Sequence, residues 1–89
     1  MTNIEIAFPV KVDGKTYSSL EMRRPKVKDQ LAVEKLTGSD AEKEITVLAN
    51  LCEVSPAVIK ELDMSDYGKL QEAYTAFLSP APKIAGAGA

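Results

Sequence analysis

The chain has 89 residues, 45% of them hydrophobic and 27% charged, which describes one small globular domain. A net charge of −2 argues against a general nucleic-acid-binding protein, and the absence of His with a single Cys excludes a Cys/His metal site, an intrachain disulfide and histidine-based catalysis. No apolar run exceeds three residues, so no segment is expected to span a membrane.

The first two dozen residues read as a β-hairpin over about residues 3–23. Ile4, Ile6, Phe8, Val10 and Val12 occupy every second position, the period of a strand with one buried face. Asp13-Gly14 supplies the turn, and Leu20 and Met22 alternate with polar neighbours in the return strand. A two-residue loop would set Ile6 against Glu21 and Phe8 against Ser19. A three-residue loop with a glycine bulge is therefore expected, pairing Lys11 with Lys15, Ile6 with Leu20 and Ile4 with Met22. Pro9 lacks an N–H and marks the first strand as an edge.

Arg23-Arg24-Pro25 ends the hairpin and opens a helix over about residues 26–37. That helix is expected to present Val27, Leu31 and Leu36 on one face and to stop at Gly38. Ser39-Asp40-Ala41-Glu42 is a capping-box pattern for a second helix, over about 39–53. Ala41, Ile45, Leu48, Ala49 and Cys52 form its stripe, broadened by Val47 and Leu51, and make it the central core helix. Ser55-Pro56 starts a short helix over about 55–62, containing Val58, Ile59 and Leu62. Asp63 or Ser65 caps a last helix over about 65–78, with Tyr67, Leu70, Tyr74, Phe77 and Leu78 as its apolar positions. Residues 79–89 hold too little apolar surface to bury and read as a flexible Pro/Ala/Gly tail. The fold class is thus α+β: an N-terminal hairpin, then a compact bundle of three to four short helices, in one domain over 1–78. Its core is expected to set Ile6, Phe8 and Leu20 against Leu48 and Phe77.

Catalytic chemistry has little to work with. Without His, a base has to be a carboxylate, Lys or Tyr with a strongly shifted pKa, and so small a core seldom holds the pocket that requires. Cys52 lies on the buried stripe, capping accounts for Glu42 and Asp63, and no phosphate-binding glycine loop precedes a helix. No catalytic residue, cofactor site, metal site or small-molecule substrate is assigned. Charge is uneven, however. Residues 11–28 carry Lys11, Lys15, Arg23, Arg24, Lys26 and Lys28 against Asp13 and Glu21, whereas 29–78 are strongly acidic. Two guanidinium groups at the elbow, Arg23 and Arg24, could grip carboxylates. As a nucleic-acid signal the cluster is weak, because no aromatic residues interleave it. The second binding candidate is the stripe of Tyr67, Leu70 and Tyr74 on the last helix.

Four segments stand out together: Val12-Asp13-Gly14-Lys15 in the hairpin, Leu20-Glu21-Met22-Arg23-Arg24-Pro25 entering the first helix, Glu34-Lys35 within it, and Leu62-Asp63-Met64-Ser65-Asp66-Tyr67 leading into the last. In order and spacing they resemble the Mu-like tail assembly chaperones of contractile-tailed bacteriophages and prophages. The resemblance covers about residues 4–78. It implies a non-catalytic protein that coats the helical tape measure protein during tail assembly, keeps it soluble and helps recruit tail-tube subunits. It also implies residence in the bacterial host cytoplasm and absence from the mature virion. Tyr67, Leu70 and Tyr74, with Arg23 and Arg24, are the expected partner contacts. Neither membrane nor nucleic acid is an expected partner, and weak self-association is compatible with the pattern. The alternative from another class is a small phage or prophage nucleic-acid-binding regulator, against which the acidic body counts. A third reading is a structural subunit of the tail itself.

Overall fold

The computed structural model describes residues 1–78. The tail expected at 79–89 lies outside the described residues. Two antiparallel strands, β1 (Thr2–Val12) and β2 (Lys15–Met22), are followed by four helices: α1 (Val27–Glu34), α2 (Asp40–Cys52), α3 (Pro56–Lys60) and α4 (Met64–Leu78). This is the expected α+β order of hairpin and short helices. Helices α3 and α4 pack on β1, and α2 packs on β2. The core between them is Ile4, Ile6, Leu20 and Met22 from the hairpin, Val47, Leu48, Ala49, Leu51 and Cys52 from α2, Val58, Ile59 and Leu62 from the α3 region, and Leu70 from α4.

The hairpin register differs from the expected one. Val12 pairs with Lys15, Lys11 with Thr16 and Val10 with Tyr17, so the loop has two residues rather than three. Asp13 and Gly14 both have positive φ, 51° and 80°, which is the type I′ geometry that follows the right-handed strand twist. Continued along the strands, that register would bury the wrong residues. Instead, the pairing shifts between Glu5 and Val10, and Glu5 then pairs with Ser19, Ile4 with Leu20 and Thr2 with Met22. Four residues of β1, Ile6 to Pro9, thus face the single Ser18 of β2. The bulge returns Ile4 and Ile6 to the core face and turns Phe8, 59% exposed, out of it. Phe8 is therefore not a core residue, and Phe77 lies only at the core margin.

A bulge leaves backbone donors without strand partners, and α4 supplies the acceptor. The Asp66 carboxylate accepts the Ala7 and Phe8 N–H groups, each at 3.0 Å, and lies 3.1 Å from Lys69 Nζ. Lys69 also donates to the Glu5 carbonyl at 3.0 Å. Asp66 is completely buried. Burial pushes its pKa up, but the two backbone donors and the Lys69 ammonium outweigh this and hold it below the ordinary carboxylate value.

The helix ends follow local chemistry. Ser39 Oγ accepts the Glu42 N–H and Glu42 Oε1 accepts the Ser39 N–H, both at 3.1 Å, so the α2 capping box forms. At the start of α4, Asp63 Oδ2 accepts from the Ser65 N–H at 2.9 Å and from its hydroxyl at 2.6 Å. Helix α1 stops at Glu34, before the Thr37 expected from the sequence, and the chain reaches Gly38 in a left-handed turn with φ of 112°. The apolar face assigned to α1 is also different. Val27 and Leu31 are 79% and 59% exposed, and Val33 is the α1 residue that leans on the core. In α2, Ala41 is exposed and Ile45 half-buried, whereas Val47 to Ala49, Leu51 and Cys52 are buried.

Candidate functional site

Val27, exposed at the start of α1, lies on a groove between α1, α2 and α4. Its first section, about 310 Å³, runs between the elbow and first turns of α1 (Pro25, Lys26, Val27, Asp29, Gln30) and the last turns of α4 (Tyr74, Phe77, Leu78). The second section, about 240 Å³, adds Asp40, Lys43, Glu44 and Leu48 of α2. Gln30, Val33, Val47 and Tyr74 line both sections and make them one depression. Helices α1 and α4 flank it in opposite directions, since Arg24, just before α1, bonds to Phe77 near the end of α4, while Val33 near the end of α1 shares the second section with Tyr74, about one turn earlier on α4.

Each wall is held by a specific contact. Arg23 donates both terminal nitrogens to Asp29, at 3.0 and 2.9 Å, and Asp29 Oδ2 also accepts the Lys26 N–H at 2.7 Å. The Arg23 hydrogen bonds, followed by the Lys26 N–H, hold the Asp29 carboxyl down at about 2. The same chain segment is tied to the sheet and to α2 by the Arg23 N–H, which donates to the Leu51 carbonyl at 3.0 Å. Arg24 reaches across the groove mouth. It donates to the Phe77 carbonyl at 3.3 Å, and its guanidinium carbon stands 5.1 Å from the Phe77 ring centre. A cation on the last turn of α4 also offsets the negative end of that helix. At the far end, Glu44 Oε1 accepts the Tyr67 hydroxyl at 2.5 Å and the Gln71 amide at 3.1 Å, fastening α4 to α2. Burial, then the Glu44 carboxylate, raises the Tyr67 pKa, so the hydroxyl stays a donor at neutral pH.

Most of the side chains lining the first section are apolar: Pro25, Val27, Val33, Val47, Tyr74, Phe77 and Leu78. The Cys52 thiol is buried, and burial pushes its pKa to about 11, so little thiolate forms at pH 7. Among the described residues no group of three or more His, Cys, Asp or Glu could hold a metal ion, and no helix is long and apolar enough to cross a membrane.

Residues 3–79 match the family model described as phage tail assembly chaperone proteins, E, or 41 or 14. The chain belongs to the phage tail assembly chaperone family. No curated protein and no solved structure matches it. Membership supports a role in tail assembly and implies contact with phage tail proteins, in agreement with the resemblance carried by the hairpin, elbow and Leu62–Tyr67 motifs.

In this family member, one of the five expected contact residues, Tyr74, lines the groove, and Arg24 and Tyr67 bond to residues that line it. Tyr74 forms its floor, Arg24 holds its mouth, and Tyr67 fixes the Glu44 end. Arg23 stands behind Asp29, its guanidinium already engaged. Leu70 is a correction: it is completely buried in the core cluster that hairpin and α2 residues share, with α4 packed on β1, so it is not part of the surface. Sequence reasoning missed Val33 and Val47 as groove residues and Asp66 as the clamp on β1. A signal for Val33 exists. At about 100° per residue, Val27 and Leu31 lie on the opposite side of α1 from Leu36, with Val33 nearer to Leu36. The helix therefore has apolar residues on two faces, and only one of them can meet the core.

Proposed function

We propose that the chain is a non-catalytic chaperone that binds the tape measure protein in the host cytoplasm, keeps it soluble and aids tail-tube assembly. It leaves before the virion is complete. The observation that carries this reading is the open apolar groove of a tail assembly family member, with Val27 and Leu78 exposed at its rim. A tape measure segment is long and helical and presents apolar stripes before the tail forms around it. Such stripes aggregate unless covered. A shallow groove covers one stretch weakly, and many copies along one client hold it by avidity while each remains easy to displace. The engagement of Arg23 by Asp29 and the acidic balance of residues 29–78 weigh against the nucleic-acid regulator, whose phosphate contacts need clustered free cations.

The test is co-expression of the tagged chain with the neighbouring tail genes, followed by purification of the complex and of finished particles. Recovery of the tape measure protein with the chain, and absence of the chain from particles, is the expected result. Recovery of nucleic acid alone, or presence of the chain in particles, would refute the reading.

A further inference from the structure

We infer that the groove between α1 and α4 takes one amphipathic helix of a tail protein in a fixed direction. Acidic N-terminal turns lie at Arg24 and Lys26, and basic C-terminal turns lie at Asp40 and Glu44. This rests on the function proposed above and adds the docking site, the mode and the polarity.

The shape sets the mode. Along α1 the groove spans Lys26 to Val33, about 11 Å at 1.5 Å per residue, or two helical turns. Its floor of Val33, Val47 and Tyr74 fits a row of apolar side chains at i, i+3 or i+4 and i+7. A strand has no edge to pair with here, because all three walls are helices whose backbone groups bond internally.

Charge sets the direction. The salt bridges among the described residues are Arg23–Asp29 and Lys69–Asp66. Asp29 is thus neutralised within the groove wall, while Arg24 and Lys26 keep their charge at the mouth. At the other end Lys43 stands with Asp40 and Glu44, leaving that end net acidic. A helix with acids in its first turns and bases in its last satisfies both ends and its own dipole together. The reverse helix meets like charge at each end.

The full chain can be tested with a designed Ala-rich helix of about 18 residues. It carries Leu at i, i+3 and i+7, glutamates in the first two turns and lysines in the last two. A second peptide has the Glu and Lys blocks exchanged. Isotope-edited NMR titration should move the amide signals of Val33, Val47 and Tyr74, and the first peptide should bind about tenfold more tightly than the second. Val27→Glu should weaken binding of the first peptide by about tenfold, since it places a charge on the apolar rim. The variant should fold, because Val27 is exposed and an acid in the first turn of α1 suits the helix dipole. Leu78→Glu at the opposite rim gives an independent reading.

Three results overturn the inference: no saturation at millimolar peptide, shifts centred elsewhere, or equal affinity of the two peptides. Concentration-dependent shifts at the same residues without peptide would identify a second copy as the occupant and also overturn it. Co-purification of Val27→Glu with the tail proteins separates the two levels. If the wild type recovers the client and the variant recovers it equally well, the groove is wrong and the chaperone reading stands. If neither recovers it, the chaperone reading fails.

Discussion

Asp66 is the residue on which the hairpin depends. Its two oxygens serve two amides that the bulge removes from the strand ladder, and no other described side chain reaches those amides. Asp66→Asn keeps the size but turns a donor toward a donor, leaving at least one buried N–H unsatisfied. The expected outcome is a fall in Tm on the order of 10 °C. Amide exchange should speed up selectively at Ala7 and Phe8, which a thermal melt and hydrogen exchange check together. The sequence shows an acid in the first turn of α4, and capping explains it sufficiently when read alone. Its real partners lie 58 and 59 residues away, and no local pattern encodes them. Glu53 is the reverse case, a residue at odds with its position. It ends α2 with φ of 58°, a left-handed conformation that suits glycine. Glu53→Gly should stabilise the fold by about 0.5–1 kcal/mol, and an unchanged or lower denaturation midpoint would contradict this.

At the scale of elements, α1 is the least anchored helix. It buries no residue and is held mainly by the Arg23–Asp29 pair and by Val33 at the core margin. Its amides should exchange through local opening, while those of α2 wait for global unfolding. The anchor also depends on pH with a definite sign. Folding lowers the Asp29 pKa from 3.8 to about 2, so its contribution is complete above pH 3.8 and disappears as the pH falls toward 2. Between those values α1 should detach, seen as loss of α1 exchange protection near pH 2.5 while the α2 signals persist. Asp29→Asn should remove this transition. Leu70→Ala should instead weaken the whole fold by about 2–5 kcal/mol, because it empties a fully buried site beneath the groove. Period-two alternation, the Ser39–Glu42 box and Ser55-Pro56 made the hairpin and the later helices legible from sequence. The face of α1 was not legible, because a long-range packing choice decides which of two apolar sides meets α2. The register differs from the expected one for a similar reason: a two-residue loop alone would bury the wrong side chains, and a bulge clamped by α4 returns Ile4 and Ile6 to the core.

At the scale of the molecule, a small hairpin-and-helix core is completed by Met22, Leu48, Leu51 and Leu70, and apolar side chains remain beyond it. Val27 and Leu78 stay exposed on one groove whose two ends differ in charge. Their exposure adds nothing to the stability of the free chain and fits a protein that covers another chain's apolar surface. Tyr67, Tyr74 and Arg24 were legible as contact candidates because aromatic and guanidinium groups stand out in a sequence. The groove itself was not, since it requires α1, α2 and α4 to meet around Val33, Val47 and Tyr74. The measurement that tests the central claim most directly is co-purification of tagged wild-type chain and its Val27→Glu variant with the neighbouring tail genes expressed. The account predicts that the wild type recovers the tape measure protein and that the folded variant loses most of it. Failure of the wild-type chain to recover any tail protein would contradict it.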